Sequence, residues 1–147
     1  MRKGTFLTIH IILPLLIGFI IYGLFRNGDL KMHEWLETIG YKTSSDFNLL
    51  GSQLATYIPN WSKFSLSDGI WMYVFTSSMF LVWSHKVNMF WLIMPLVIGI
   101  GLELVQLYEF IPGTFDYVDL LFLVSAYVLA LISGSRWRRK CIETQFP

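Results

Sequence analysis

Two pairs of polar residues interrupt the apolar second half of this chain: Glu103 with Gln106, and Asp116 with Asp119. The members of each pair are three residues apart, which places them on one side of a helix. Between the pairs lies Pro112-Gly113, the signature of a type II turn. Ionisable groups inside hydrophobic segments are costly and mark functional sites by default. Carboxylates gathered at close quarters cannot all stay ionised without a counter-charge, so either a proton or a cation must join them. Oxygen donors without Cys or clustered His suit Mg²⁺ or Ca²⁺ better than zinc. Such a divalent cation could hold a lipid or polyprenyl phosphate for hydrolysis or transfer. The same groups could instead form a structural network, with Glu103 bonded to Arg26 or to the turn and Asp116 capping the helix it opens.

The elements that must position these residues are membrane spans. Of the 147 residues, 54% are hydrophobic, 17% aromatic and 14% charged, against roughly a quarter charged in a soluble domain. The apolar residues fall in long blocks. Thr5 to Phe25 follows Met1-Arg2-Lys3 and is longer than the ~7–15 residues of a signal-peptide core. It is followed by Arg26-Asn27-Gly28-Asp29 with no small-residue cleavage site, so it is expected to remain as a first span. Residues 26–67 form a polar-amphipathic connection with a helical stretch after Ser45-Asp46, on Phe47, Leu50, Leu54 and Ile58. Ser67-Asp68-Gly69 then opens a second span, a short His85-Lys86-Val87-Asn88 connection leads to the third, and the Pro112-Gly113 turn leads to the fourth. Net charge is near zero, so no nucleic-acid partner is indicated, and the single Cys141 excludes an internal disulfide.

Charge sets the expected sidedness. Arg2, Lys3, Lys86, Arg136, Arg138, Arg139 and Lys140 fall on one side of a four-span chain, and Arg26, Lys31, Lys42 and Lys63 are spread over the long opposite loop. Lys and Arg accumulate in cytoplasmic loops, which puts both termini in the cytoplasm. Glu103, Gln106, Asp116, Asp119, Asp68 and Arg26 then all lie towards the outer face, delivered by four separate elements.

Several residues carry a plainer reading beside the functional one. Ser67 or Asp68 can serve as an N-cap with favourable dipole placement, as can Asp116 after Thr114. Glu109 suits a solvated interface. His10 reads as an interfacial histidine rather than a proton relay. Thr76-Ser77-Ser78 reads as a small helix-contact patch, Gly99 and Gly101 as points of close helix approach, and Trp71, Tyr73 and Trp83 as aromatic belts.

With E-x-x-Q (Glu103, Gln106) followed by D-x-x-D (Asp116, Asp119), the chain resembles the VanZ-like family of small bacterial integral membrane proteins. S-D-G-I-W-x-Y (Ser67 to Tyr73) and G-T-F-D (Gly113 to Asp116) resemble a branch of such proteins with a longer first loop. Leu123 and Val124 stand where that family often has an Asn, and an Arg common between its two motifs is missing. The resemblance implies a multi-span protein linked, in its namesake, to teicoplanin resistance.

The expected fold is all-α: a single domain over residues 1–147, a four-transmembrane-helix bundle with a long helical extracytoplasmic loop between spans one and two. The spans are expected at about 5–25, 69–85, 89–109 and 117–134. The expected function is that of a multi-pass protein of the bacterial inner membrane whose outer-leaflet acidic pocket binds a cell-envelope lipid or its headgroup. Glu103, Gln106, Asp116 and Asp119 would line the pocket, with Asp68 and Arg26 beside them and a divalent cation such as Mg²⁺ as a possible cofactor. Two alternatives stay open: a metal-dependent phosphatase or transferase on polyprenyl phosphates, and a non-catalytic membrane subunit of an envelope complex. The latter would have a membrane-protein partner or a second copy of the chain.

Overall fold

The structure is a computed structural model that describes residues 3–25, 38, 51–63, 65–83, 88–110 and 115–143. These residues are helical with turns, and none of them forms a strand. Five helices organise them: α1 (Lys3–Phe25), α2 (Asn60–Lys63), α3 (Ser65–Val82), α4 (Met89–Leu107) and α5 (Tyr117–Glu143). Three are long and apolar enough to cross a membrane: α1 (Lys3–Phe25), α4 (Met89–Leu107) and the Tyr117–Cys141 part of α5. The 18-residue α3 is not among them.

The reason lies in where α3 sits. It is the hub of the bundle, packed most extensively along α5 and also against α1 and α4. Ser65, Ser67, Gly69, Thr76 and Ser77 are all buried on it. A helix enclosed by other helices gains more from small residues that admit close backbones than from bulky apolar ones. The hydroxyls stay within their own helix where they are bonded: Ser78 Oγ donates to the Val74 carbonyl at 2.8 Å.

Glycines bring α3, α4 and α5 together. Phe80, 2% exposed, lies directly on Gly134 of α5. A Cβ on Gly69 would meet the Phe122 carbonyl oxygen at 3.4 Å. At Gly99 of α4 a Cβ would come within 2.6 Å of Met72 Cε and 2.7 Å of Leu123 Cδ2, so α4 rests there on the buried cluster of Met72, Leu123 and Tyr127. The expected close approach at Gly101 is not found among the described residues, since none of them comes within 4 Å of where its Cβ would stand. The pairings Gly69–Phe122 and Phe80–Gly134 advance together along both chains, so α3 and α5 run parallel.

The first helix runs antiparallel to both, with Gly18 against Ile70 and Phe6 against Trp137. It opens into a π-helical turn over Thr8–Ile12, directly ahead of Pro14, which can donate no backbone hydrogen bond. His10 lies on that turn. Its Nδ1 is hydrogen-bonded to the Tyr73 hydroxyl, which is 3.2 Å from Ser133 Oγ. Ser133 Oγ in turn donates to backbone carbonyls of α5. Tyr73 is therefore an interior bridge between α1, α3 and α5, not the belt residue its type suggests. Phe6 stacks on Trp137 at 4.4 Å beside this chain.

Element boundaries differ from the sequence expectation in two places. The second helix of the core begins at Ser65 instead of Gly69, because Ser65 and Ser67 are buried with it. The last helix continues past 134 to Glu143, because Trp137, 2% exposed, extends the packing against α1. The basic residues Arg136 to Lys140 thus belong to the end of α5. Of the expected loop helix, residues 51–55 are helical, and its start at Ser45 lies outside the described residues.

Candidate functional site: a carboxylate cluster at the end of an apolar cleft

Three helices deliver one carboxylate each to a common point. Asp68 lies in the first turn of α3, Asp119 in the first turn of α5, and Glu103 one turn before the end of α4. The parallel course of α3 and α5 brings their starting turns side by side, and α4 returns to that same end. One carboxylate oxygen from each residue can be chosen so that all lie within 4.8 Å of one another. The acidic first-turn placement suits the positive ends of α3 and α5. Asp68 is not an N-cap, because α3 has already begun at Ser65.

Glu103 is the buried member, 6% exposed. Its Oε2 has no hydrogen-bond partner. Among the described residues, the charged groups that bear on it are Asp119, Asp68 and Asp116, all of its own sign. A buried carboxylate oxygen without a donor costs roughly 1–3 kcal/mol or more relative to a satisfied one. Its neighbourhood makes that cost larger.

From this cluster a cleft of about 560 Å³ runs between α3 and α4. Trp71 and Phe75 form one wall, Ile98 and Leu102 the other, and Leu123 of α5 the floor. Asp68, Glu103 and Gln106 stand at its polar end. Gly99 and Pro95 of α4 also line it. The volume falls in the range of roughly 300–1,000 Å³ that holds small molecules.

The sequence-derived candidates sort into three groups. Glu103, Asp119 and Asp68 converge, and Gln106 lines the same cleft. Asp116 does not join them: its Oδ1 accepts the Val118 N–H at 2.9 Å and its side chain is exposed, so it caps α5. Arg26 lies outside the described residues, as do His33 and His85. Glu109 is exposed and takes φ 58° in the turn after α4. The cleft walls were not foreseen; Trp71, Phe75, Ile98 and Leu102 look like any lipid-facing residues in a hydrophobic segment.

No family model, curated protein or solved structure matches the chain.

Proposed function

We propose that this is a four-span, VanZ-like integral membrane protein of the bacterial inner membrane, with both termini cytoplasmic, whose outer-leaflet acidic pocket binds a cell-envelope lipid by its headgroup. The observation that carries the reading is the cleft itself: apolar walls ending on Asp68 and Glu103 match a molecule with a hydrocarbon tail and a polar head. The E-x-x-Q and D-x-x-D resemblance supports the family, and the distribution of Lys and Arg supports the orientation. In support of α3 as the remaining span, 18 residues reach ~27 Å at 1.5 Å per residue, close to the ~30 Å of a bilayer core. Apolar side chains such as Ile9, Leu16, Phe19, Val97, Leu121 and Leu129 are exposed on α1, α4 and α5, as a lipid surround requires.

The reading is tested by releasing the protein from membranes directly into a native mass spectrometer. The wild-type chain is expected to carry an envelope lipid, and Leu102→Trp, which fills the cleft from the α4 wall, is expected to lose it. Equal lipid on both proteins would rule out this cleft as the binding place. The convergence of three carboxylates favours a second reading, a metal-dependent phosphatase or transferase on polyprenyl phosphates. It requires phosphate release or transfer that stops with EDTA and returns with Mg²⁺.

A further inference from the structure

We infer that Asp68, Glu103 and Asp119 are the protein ligands of one hard divalent cation, Mg²⁺ or Ca²⁺, whose remaining coordination positions face the cleft and take a phosphate oxygen of the amphiphile lying there. The ion site stands on the geometry alone; the phosphate rests on the lipid-binding reading above.

The distances suit an ion of this kind. Oxygen ligands sit about 2.0–2.6 Å from Mg²⁺ or Ca²⁺, so two oxygens on one ion are at most about 4–5 Å apart, and the three carboxylates here fall within 4.8 Å. They come from helices far apart in sequence, so the crowding is a product of the fold and not of a local acidic run.

The burial of Glu103 gives independent support. Its Oε2 is enclosed, lacks any hydrogen-bond donor and sits at the head of the cleft. A structural lock of carboxyl groups would have used that oxygen. A cation supplies what the protein does not, since a buried anion is tolerated when it is paired or coordinates a metal. The donor set selects the metal: among the described residues no His or Cys joins the group, and an all-oxygen set disfavours zinc. Three protein ligands leave an ion that takes 6–8 oxygens several positions short. Gln106, on the cleft-lining side of α4, is placed to supply an amide oxygen there. The other positions open towards Trp71 and Leu102, where water or an anionic headgroup is the available donor.

The test uses the full chain in phosphatidylcholine nanodiscs, stripped with EDTA and then dialysed free of it. Titration with Mg²⁺ and Ca²⁺ by calorimetry is expected to show one saturable ion per chain. Tb³⁺ is expected to occupy the same place and to luminesce on excitation of tryptophan, because Trp71 lines the cleft. Glu103→Gln and Asp119→Asn should each weaken the ion by about tenfold or more, equivalent to ~1.4 kcal/mol. Asp116→Asn, whose side chain caps α5, should leave it within about twofold. Absence of a saturable ion in the wild-type chain overturns the inference whatever the variants do, as does equal affinity in Glu103→Gln.

Dodecyl phosphate then probes the open positions. It is expected to bind the Mg²⁺-loaded protein and not the stripped one, and Leu102→Trp should block it while keeping the ion. An ion without dodecyl phosphate binding keeps the metal site and removes the phosphate part of the inference along with the headgroup reading. Dodecyl phosphate binding that ignores Mg²⁺, or dodecylammonium binding to the stripped protein in place of the ion, overturns the ion's role and leaves the cleft as a lipid site.

Discussion

The two ends of this bundle hold similar numbers of polar groups and treat them oppositely. At one end, His10, Tyr73 and Ser133 from three helices hand hydrogen bonds along a chain that finishes on backbone carbonyls, beneath the Phe6–Trp137 stack. At the other, Asp68, Glu103 and Asp119 from three helices meet with like charge, and Glu103 Oε2 is bonded to nothing. Polar groups that satisfy one another fasten helices together. Polar groups that repel one another weaken the fold and persist where something from outside completes them. The first end is accordingly a clasp and the second, on the proposed reading, a site, although an isolated histidine in a span is the more conspicuous residue in the sequence.

The strongest way to break this contrast is Glu103→Leu. If the acidic end is a site held against the interest of stability, replacing its buried, unpartnered carboxylate by a similar-sized apolar group should lower ion affinity by about tenfold or more. The same change should raise stability by roughly 1–3 kcal/mol, read as thermal unfolding in detergent by tryptophan fluorescence. A large loss of stability would mean that Glu103 belongs to a structural network, and the two ends would then be alike.

Packing between α3 and α5 is common to both ends, so disturbing it serves as a control. Phe80 lies on Gly134 with no room for a Cβ, and Gly134→Val should therefore destabilise the protein by about 1–3 kcal/mol through overpacking. Residual folded protein should keep its ion affinity, because the cluster lies at the opposite end of α3. Tyr73→Phe tests the clasp itself. It removes the hydroxyl that links His10 to Ser133 and should cost about 0.5–1.5 kcal/mol in the same unfolding assay, with ion binding unchanged. A change in ion affinity with Tyr73→Phe would show that the ends communicate and that the clasp is more than structural.

How much of this was legible in the residues follows from what periodicity can carry. The apolar blocks announce the long helices, and a glutamate within one of them needs a reason, so Glu103, Gln106 and Asp119 stand out in the sequence itself. Their convergence with Asp68 followed from counting chain reversals. The hub position of α3 was less accessible. Ser67 reads as a possible cap and Thr76-Ser77-Ser78 as a small helix-contact patch, and neither signal says that burial runs the length of α3 against α5. At Asp68 the cap and the cluster readings stand level in the sequence for the same reason: the helix starts at Ser65, which is buried, and no local signal reports that burial. Trp137 stands among basic residues, and nothing local points to its partner Phe6 at the other end of the chain. The cleft was beyond reach altogether, because a wall of Trp71, Phe75, Ile98 and Leu102 differs from a lipid-facing surface only in having another wall opposite.

The smallest effect concerns the turn that ends α4, where the acidic end carries a second local cost. Glu109 adopts φ 58°. Its N–H donates to the Gln106 carbonyl at 2.9 Å, and the Phe110 N–H donates to the Val105 carbonyl at 3.1 Å. This is the hydrogen-bond pattern of a helix end closed by a left-handed residue, a position that glycine fills without steric penalty. Glu109→Gly should thus stabilise the protein by roughly 0.5–1 kcal/mol, after allowance for the greater freedom of glycine in the unfolded chain. The exposed carboxylate of Glu109 is outside the cluster, so ion affinity should stay within about twofold. If affinity instead fell in step with that gain, the strained turn would be shown to hold Glu103 in place, and the site would extend from the three carboxylates to the turn that positions them.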